Sequence, residues 1–507
     1  MVKYPIGLLE EELKNKVVRT LCVLRDLRVR FNSPRRRVPF VTRGASSGGT
    51  TPNTSILHDA FGNITNATDT AGNSWQFAYT ANSTLTYEVF TSLCLRDSVC
   101  QTNALARRVD AYSRSAGYDL TIGNTSRSRV RYVYDAEGRI ATLAATNAAN
   151  RGFQVEYLNE SGYNYGYTLT MPNGAILTRT VTRDPFRRSL TLDCTTRFNN
   201  VEVASFAYSF DANSRPVMRN NDRFAYNDRD EIVAATIGTN NVNRAYDTIG
   251  NHVFCAFNSA TNFYANNQLN QTTASYACAP SADSGSNDVP SLFDGYDILS
   301  TNKFTWSAQG GHAECRIENE QYKIASGGIA HTGGGVIVRF QFSILHLNSP
   351  LAPPLPIERR TWCLQERHDF VYDDWNLIHE TVTTVDANST TNITEVEYFW
   401  GPDLSNTLQG AGGVGGLLAV SMNGVFYFPV YDNLGNIVKY LGENGDVVAS
   451  YTYDDFGQVI EKNGPMTDGF RFLFSTKCYD SEICIYYYGY RFYSPSLFFG
   501  LFVIMCM

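Results

Sequence analysis

Acidic side chains are the residues of this sequence whose type and spacing could do chemistry. Asp454 and Asp455 are adjacent, as are Asp373 and Asp374, and paired carboxylates serve general acid–base catalysis. Neighbouring residues of one strand point to opposite faces, so we expect each pair to point apart unless a turn intervenes. Because similar Asp residues recur at one position of a repeated motif, we expect a structural role in turns and no enzymatic activity.

Histidines and cation-binding patterns do not indicate a catalytic or metal centre. His58, His252 and His379 lie apart from any Gly-x-Ser-x-Gly elbow or recognisable cysteine context, so core or surface roles are expected. No Asp-x-Asp-x-Asp-Gly loop occurs, and the acidic run 227–231 is only a weak cation candidate. The GGG stretch at 333–335 lacks the Lys-Ser/Thr of a phosphate loop. The sequence predicts no cofactor.

The Asp residues belong to a repeated motif: Tyr-Asp, two variable residues, Gly, a polar residue and an apolar residue. Four clear copies supply the candidate turn residues Tyr134, Asp135, Gly138, Tyr246, Asp247, Gly250, Tyr431, Asp432, Gly435, Tyr453, Asp454 and Gly457. From Tyr226 to Tyr246 is 20 residues, and from Tyr431 to Tyr453 is 22. Self-similarity at a fixed period of about twenty residues indicates a repeat architecture.

The chemistry of the motif predicts a β-hairpin. Asp accepts hydrogen bonds from backbone N–H groups two residues on, which starts a turn. Gly supplies a positive φ angle, and Asn after it tolerates the left-handed region. The apolar residues that follow begin the return strand. We expect stacked hairpins to place each Tyr beside the Tyr of the next repeat, at roughly 0.5–1 kcal/mol per contact.

Composition supports an all-β fold. The chain has 31 Tyr, 30 Phe and 39 Gly, with 13% aromatic and 18% charged residues, a balance suited to half-buried strands joined by turns. A ribbon of about 32 strands, each about 4.8 Å wide, twists and cannot stay flat. We therefore expect a spiral array of hairpins that forms a partial or hollow shell, with a short N-terminal helix.

Changes in composition and in motif content along the chain predict six segments. They are a basic segment, helical or disordered, at 1–45; a repeat array at 46–278; an irregular insertion at 279–365; a second array at 366–460; a core-like segment, overlapping that array, at 427–497; and an aberrant apolar tail at 498–507.

Charge and hydropathy limit the partners. The net charge is -7, and residues 1–45 carry 11 Lys and Arg against 4 Asp and Glu, so the rest of the chain carries about -14. An acidic surface repels phosphate, and we expect no nucleic-acid partner. The apolar end is too short for a membrane span, which needs about 20 residues. No secretory signal is visible.

Cysteine spacing does not indicate a disulfide framework. There are 11 cysteines, and no Cys-x-x-Cys pair occurs. Cys94 with Cys100, and Cys478 with Cys484, could each close a small loop. Free thiols in a reducing compartment are the favoured alternative.

The most specific signal lies between Tyr427 and Pro495. It reads YFPVYDNLGNIVKY, then YTYDDFGQVIEK, FRF, YDSE and YYYGYRFYSP. With the repeats, this block resembles the YD-repeat or Rhs (rearrangement hotspot) family and its Rhs-associated core domain, over about residues 50–497. The resemblance implies a bacterial, secreted or cell-surface β-shell that encloses a C-terminal toxin polypeptide and releases it after self-cleavage.

The sequence departs from that family near its end. No Asp-Pro dipeptide follows Tyr431, Ile483-Cys484 stands where the family has Thr-Gly, and the last residues read SLFFGLFVIMCM. We therefore expect a non-enzymatic shell scaffold without the cleavage site or the toxin.

Two other functions stay open. One is a cell-surface carbohydrate- or protein-binding array, for which Tyr163, Tyr165 and Tyr167 alternate as an aromatic stripe on one face. Inward packing of that face is the favoured alternative, because it buries more apolar area. The other is a truncated, inactive remnant.

Overall fold

The structure is a computed structural model that describes part of the chain. The described residues are 55–68, 74–91, 102–160, 162–268, 272–280, 296–306, 313–317, 320–324, 337–340, 344–346, 366–385, 390–481, 484–489, 491–495 and 499–502. The basic segment 1–45 and the predicted helix within it lie outside these residues. In the described part the regular elements are strands and one 3-10 turn, Phe474–Thr476, so the prediction of an all-β fold is confirmed. None of its segments forms a helix long and apolar enough to span a membrane.

The strands follow one another closely along the chain. The first twenty are β1 Ser55–His58, β2 Ile64–Thr68, β3 Ser74–Tyr79, β4 Leu85–Thr91, β5 Thr102–Val109, β6 Ser115–Ile122, β7 Thr125–Tyr134, β8 Ile140–Thr146, β9 Gly152–Glu160, β10 Tyr163–Thr170, β11 Ile176–Arg183, β12 Thr191–Phe198, β13 Val201–Phe210, β14 Pro216–Arg219, β15 Asp222–Tyr226, β16 Ile232–Ile237, β17 Asn240–Tyr246, β18 His252–Phe257, β19 Ala260–Asn266 and β20 Thr272–Pro280. The others are β21 Tyr296–Trp306, β22 Ala313–Ile317, β23 Glu320–Ile324, β24 Ile337–Phe340, β25 Ile344–His346, β26 Glu366–Asp373, β27 Asn376–Val385, β28 Thr391–Trp400, β29 Leu417–Met422, β30 Val425–Tyr431, β31 Ile437–Gly442, β32 Val447–Tyr453, β33 Val459–Asn463, β34 Cys478–Asp480, β35 Ile485–Tyr487, β36 Arg491–Ser494 and β37 Phe499–Phe502.

These strands form two long ribbons and one small sheet. The first ribbon contains the 24 strands β1 to β23 and β25. Its strands pair antiparallel in chain order, except that β23 pairs with β25 and β24 is passed over. The second ribbon contains the nine strands β24 and β26 to β33. Strands β34 to β37 form the small sheet. Sequential antiparallel pairing is what a chain of short hairpins produces.

Five strands lie within 279–365, the range that the sequence indicates as an irregular insertion. Strand β21 pairs with β20 and with β22, and β23 and β25 extend the same ribbon. Strand β24 pairs with β26 and belongs to the second ribbon. Hairpin pairing therefore continues through a region where the sequence has no recognisable Tyr-Asp turn.

The two ribbons pack face to face, and the main core lies between them. Phe153 of β9 stands edge-on to Phe399 of β28 and to Phe426 and Phe428 of β30, with ring centroids 5.6, 5.5 and 5.9 Å away. All four side chains are buried. Truncating one such ring to Ala typically costs about 3–5 kcal/mol, so this cluster stabilises the contact between the layers.

The small sheet lies against the last motif turn of the second ribbon. Its Tyr486 hydroxyl donates to the Gly457 carbonyl at 2.9 Å, and its Tyr493 hydroxyl donates to the Phe456 carbonyl at 2.7 Å. Strand β37, Phe499–Phe502, falls within the predicted apolar tail and pairs with β36.

Candidate functional site

The motif turn is a closed five-residue unit, as Asp135 illustrates. The Gly138 N–H donates to the Asp135 carbonyl at 3.1 Å, and the Asp135 N–H donates to the Arg139 carbonyl at 2.8 Å. The carboxylate accepts the Arg139 N–H at 2.8 Å. Gly138 has a φ of 83°, where a Cβ would be strained. Against the opposing effect of burial, the Arg139 hydrogen bonds lower the pKa of Asp135.

The other three clear copies have the same geometry. Asp247 Oδ1 accepts the N–H groups of the residues two and four positions on at 3.0 and 2.9 Å, Asp432 does so at 2.8 and 2.9 Å, and Asp454 at 2.9 and 2.8 Å. Gly250, Gly435 and Gly457 have φ angles of 93°, 79° and 91°. Each of these carboxylates therefore closes its own hairpin.

The residue after the glycine has a role that sequence reasoning missed. Asn251 donates its side-chain amide to Asp247 Oδ2 at 2.8 Å, and Asn436 does the same to Asp432 Oδ2 at 2.8 Å. Arg139 uses its Nε on Asp135 Oδ2 at 2.8 Å. Asn251 and Asn436 do not have positive φ angles, so their expected left-handed role is wrong. The available signal was a side-chain N–H donor four residues after each of these Asp residues.

The motif tyrosines link successive repeats through their hydroxyl groups. Each hydroxyl donates to the carbonyl of the residue that begins an earlier strand. The bonds are Tyr134 to Ser115 at 2.7 Å, Tyr226 to Pro216 at 2.8 Å, Tyr246 to Ile232 at 2.8 Å, Tyr431 to Leu417 at 2.6 Å and Tyr453 to Ile437 at 2.5 Å. Each motif Tyr is thus tied to an earlier strand by a hydroxyl-to-backbone bond, which a Phe in its place could not make.

Asparagine replaces tyrosine in two repeats and makes the same link. Asn159 donates its amide to the Ile140 carbonyl at 2.9 Å, and Asn266 donates to the His252 carbonyl at 2.8 Å. Ile140 and His252 each begin a return strand. The shared feature of the geometry is thus a donor that reaches the start of the preceding return strand.

Asp454 and Asp455 are brought together, although strand geometry alone predicts that they point apart. Arg244 of β17 lies 3.3 Å from the Asp454 carboxylate and 2.5 Å from the Asp455 carboxylate. The three side chains are at most 3% exposed. The motif turn begins at Asp454, so the alternation of strand geometry ends there and both carboxylates reach Arg244. Burial, reinforced by the charge of Asp455, raises the pKa of Asp454 to about 6.

Five arginines of the first ribbon pair with carboxylates of the second ribbon, and we call this set the arginine seam. The pairs are Arg107 with Asp373 at 2.8 Å, Arg127 with Glu395 at 2.7 Å, Arg151 with Glu443, Arg219 with Asp432 at 3.6 Å, and Arg244 with Asp454 and Asp455. The seam was missed from the sequence, where four of the five arginines lie on strands and Arg151 lies in the turn before β9, with no shared local pattern. All five pairs connect one ribbon to the other.

Further titratable groups are buried along the same interface. Burial raises the pKa of Glu88 to about 8 against the opposing charge of Arg107. Burial also raises the pKa of Glu397 to about 7, although its carboxylate accepts the Ala148 N–H at 3.1 Å. Burial, with the charge of Arg127, lowers the pKa of His379 to about 3, so this ring is neutral.

The other sequence candidates lie in separate places. His252 packs on the Tyr246 ring at 4.5 Å, and His58 lies at the end of β1. Across the ranges the structure describes, no group of three or more His, Cys, Asp or Glu side chains could hold a metal ion. Cys478 and Cys484 are both free thiols, whereas Cys94 and Cys100 lie outside the described residues.

The aromatic stripe of β10 is interrupted. A register shift between Asn164 and Tyr167 breaks the alternation, and Tyr167 is buried in the core. Tyr163 and Tyr165 lie instead against the Arg183 guanidinium, 5.3 and 5.8 Å from it. The three rings therefore do not form one exposed surface.

Comparison with known proteins gives structural likeness only. No family model matches the chain, and no curated protein matches it. Among solved structures, TcdB2-TccC3 without its hypervariable C-terminal region has a TM-score of 0.49 and 11% identity, and covers 89% of this chain and 26% of that chain. The Photorhabdus luminescens Tc holotoxin pore has a TM-score of 0.46 and 12% identity over the same shares. The chain thus spans about a quarter of the length of these chains.

Proposed function

We propose that the protein is a non-enzymatic β-shell scaffold, of the kind that Rhs and YD-repeat carriers use to enclose a polypeptide. The observation that carries this proposal is the use of the recurrent polar residues. The four motif carboxylates close their own turns, and the motif hydroxyls bind backbone carbonyls of the preceding repeat. Residues committed to backbone bonds in this way build a scaffold and leave no free acid–base pair among them.

The arginine seam supports the same role. It fixes two extended ribbons against each other with pairs whose arginine side chains are between 0% and 39% exposed. A carrier needs a wall that holds its curvature, and charge pairs that match only in one alignment of the two ribbons support one register of packing. Location outside the producing cell remains a prediction from the family resemblance.

The glycan-binding alternative based on Tyr163, Tyr165 and Tyr167 has no such support, because Tyr167 is buried and the other two rings contact Arg183. No observation favours the inactive-remnant alternative over a folded scaffold.

Enclosure is tested with the full chain and a fluorescently labelled, unfolded polypeptide of about 50 residues. Co-refolding should give a complex in which a protease cleaves the labelled polypeptide at least tenfold more slowly than when it is free. The Arg244→Met variant, which weakens the seam, should protect less. Equal cleavage rates with and without the full chain would contradict enclosure.

A further inference from the structure

At three places in the described part of the chain, the contact between the two ribbons has more carboxylates than arginines, and we call these places junctions. At the first junction, Arg107 of β5 lies 3.2 Å from Glu88 of β4 and 2.8 Å from Asp373 of β26. The Glu88 side chain is 2% exposed, and its Oε1 is buried with no hydrogen-bond partner among the described residues. Asp374 adds a further negative charge near Glu88. One guanidinium therefore serves two carboxylates, of which that of Glu88 is the more deeply buried.

The second junction has one paired and one unpaired carboxylate. Arg127 of β7 lies 2.7 Å from Glu395 of β28. Glu397 of the same strand is 3% exposed, and its carboxylate accepts the Ala148 N–H at 3.1 Å. His379 of β27 lies opposite Glu397 in the strand register, and it is neutral because burial, with the charge of Arg127, lowers its pKa to about 3. The single positive charge here therefore faces two carboxylates.

The third junction is formed by Arg244 of β17, which is shared by Asp454 and Asp455 at 3.3 and 2.5 Å. These three side chains are at most 3% exposed, and the Phe456 ring covers the guanidinium at 4.5 Å. Arg219 supplies a second, more distant positive charge to Asp455. Two buried carboxylates again face one close guanidinium.

The other titratable groups around the junctions stay neutral between about pH 5 and about pH 9. His252 is neutral because burial, with the charge of Arg244, lowers its pKa to about 3. For the hydroxyl and thiol groups, burial raises the pKa above its ordinary value. They are Tyr118 near Glu397 and, around Arg244 and its two carboxylates, Tyr226, Cys255, Tyr264, Tyr486 and Tyr493. The carboxyl groups of the junctions are therefore the groups whose charge changes in this range.

Burial favours the neutral form of one carboxyl at each junction. It raises the pKa of Glu88 to about 8 and that of Glu397 to about 7, and, reinforced by the charge of Asp455, it raises the pKa of Asp454 to about 6. Each folded-state value lies above the ordinary value of the group. The stabilisation from the neutral carboxyls is therefore complete below about pH 4 and is lost as pH rises through about 6 to 8.

We propose that the contact between the two ribbons is a pH-sensitive joint, closed in mildly acidic solution and loosened in mildly alkaline solution. Its sensing groups are Glu88, Glu397 and the Asp454–Asp455 pair. The junctions use separate parts of the first ribbon, β4 and β5, β7, and β17, so ionisation adds buried negative charge at three points of one contact. The joint concerns only the two ribbons and does not depend on enclosure of a polypeptide.

The test is amide hydrogen exchange of the full chain at pH 5.5, 7.0 and 8.5, with each rate corrected for the intrinsic chemical exchange rate at that pH. Strands β9 and β30 report on the joint, because Phe153 and Phe426 meet there with ring centroids 5.5 Å apart. Their corrected exchange should be at least about tenfold faster at pH 8.5 than at pH 5.5. Strand β20, whose described side chains lie outside the core between the ribbons, should change less than about threefold. Exchange in β9 and β30 that does not depend on pH, or equal acceleration in β20, would overturn the proposal.

Neutral variants of the sensing groups should remove the pH dependence. The triple variant Glu88→Gln, Glu397→Gln, Asp455→Asn should reduce the acceleration in β9 and β30 to less than about threefold. Asp455 is chosen because the Asp454 carboxylate also closes its own turn. Glu397→Gln alone keeps every arginine pair of the seam, and it should reduce the acceleration at least about threefold even if the triple variant does not fold.

A matched triple variant separates the joint from a general effect of charge. Glu137→Gln, Glu202→Gln and Asp468→Asn remove three carboxylates whose side chains are 67%, 53% and 74% exposed. This control should keep the pH dependence of the wild type, because exposed carboxylates are already hydrated in the folded protein. Loss of the pH dependence in the control, or wild-type pH dependence in Glu397→Gln, would contradict the assignment of the sensing groups.

Discussion

Arg244 is the arginine of the seam whose side chain is most deeply buried. Its side chain is 0% exposed and pairs with two buried carboxylates of the second ribbon. Arg244→Met keeps a long apolar side chain but removes the charge. Asp454 and Asp455 would then stay buried without their cation, and breaking a buried pair in this way typically costs about 3–5 kcal/mol.

The cost should depend on pH, and the sign follows from the carboxyls. With Arg244 present, burial already raises the pKa of Asp454 to about 6 from its ordinary value of 3.8. Without the guanidinium the folded-state pKa rises further, because an attractive charge is lost. The stability deficit of Arg244→Met relative to the wild type should therefore be largest above pH 7. It should shrink as pH falls towards 4 and both carboxyls become neutral.

Urea denaturation followed by tyrosine fluorescence and far-ultraviolet circular dichroism measures this deficit at pH 4.5 and at pH 7.5. Arg197→Met is the matched control: its exposed pair with Glu202, at 3.8 Å, should contribute less than about 0.5 kcal/mol at both pH values. A deficit below about 1 kcal/mol for Arg244→Met at pH 7.5, or a deficit that grows on acidification, would refute the reasoning.

Three further substitutions test the turn, the hydroxyl link and a buried acid. Tyr431→Phe leaves the Leu417 carbonyl without its 2.6 Å donor, so the free energy of unfolding should fall by about 1–2 kcal/mol in urea titrations. Gly435 and Gly62 have similar positive φ angles, 79° and 82°. A Cβ on Gly435 would lie 2.5 Å from Val414 Cγ1, whereas a Cβ on Gly62 would meet no atom within 4 Å. Gly435→Ala should therefore lose at least about 1 kcal/mol more than Gly62→Ala in thermal melts, and equal losses would contradict the packing. Glu397 is neutral in the folded protein below its pKa of about 7, and its ionisation above that pH destabilises the fold. As pH rises from 4.5 to 8, the free energy of unfolding of the wild type should therefore fall by up to about 3 kcal/mol relative to that of Glu397→Gln. Parallel pH profiles of the two proteins would contradict this.

The strands and turns follow from the sequence because they depend on local chemistry. A hairpin closed by Asp and Gly needs only residues within five positions of each other, and these are visible as the motif around Asp135 or Asp247. The same locality explains why the strands of 279–365 were not predicted: they pair without the motif, and alternation of apolar residues there is weak.

Contacts between distant parts of the chain could not be read from the sequence. Arg244 and Asp455 are 211 positions apart in the chain. The residues around each of them give no indication that the two side chains pair. The tyrosine hydroxyl acceptor is also hidden, since a carbonyl at the start of a strand has no residue-type signature: Ser115, Pro216 and Ile232 all serve. The sequence does show the donor, because the motif has Tyr, which carries a hydroxyl, at this position.

Amide hydrogen exchange measured by mass spectrometry tests most directly whether the hairpins of the two ribbons are closed by their motif carboxylates. The N–H groups that bind motif carboxylates, those of Arg139, Asn251, Asn436 and Gln458, should exchange at least about a hundredfold more slowly than in unstructured peptides. Tyr431→Phe should speed exchange in its own turn and at the start of β29, where Leu417 lies. Unprotected turn amides, or a Tyr431→Phe effect confined to its own hairpin, would contradict the account.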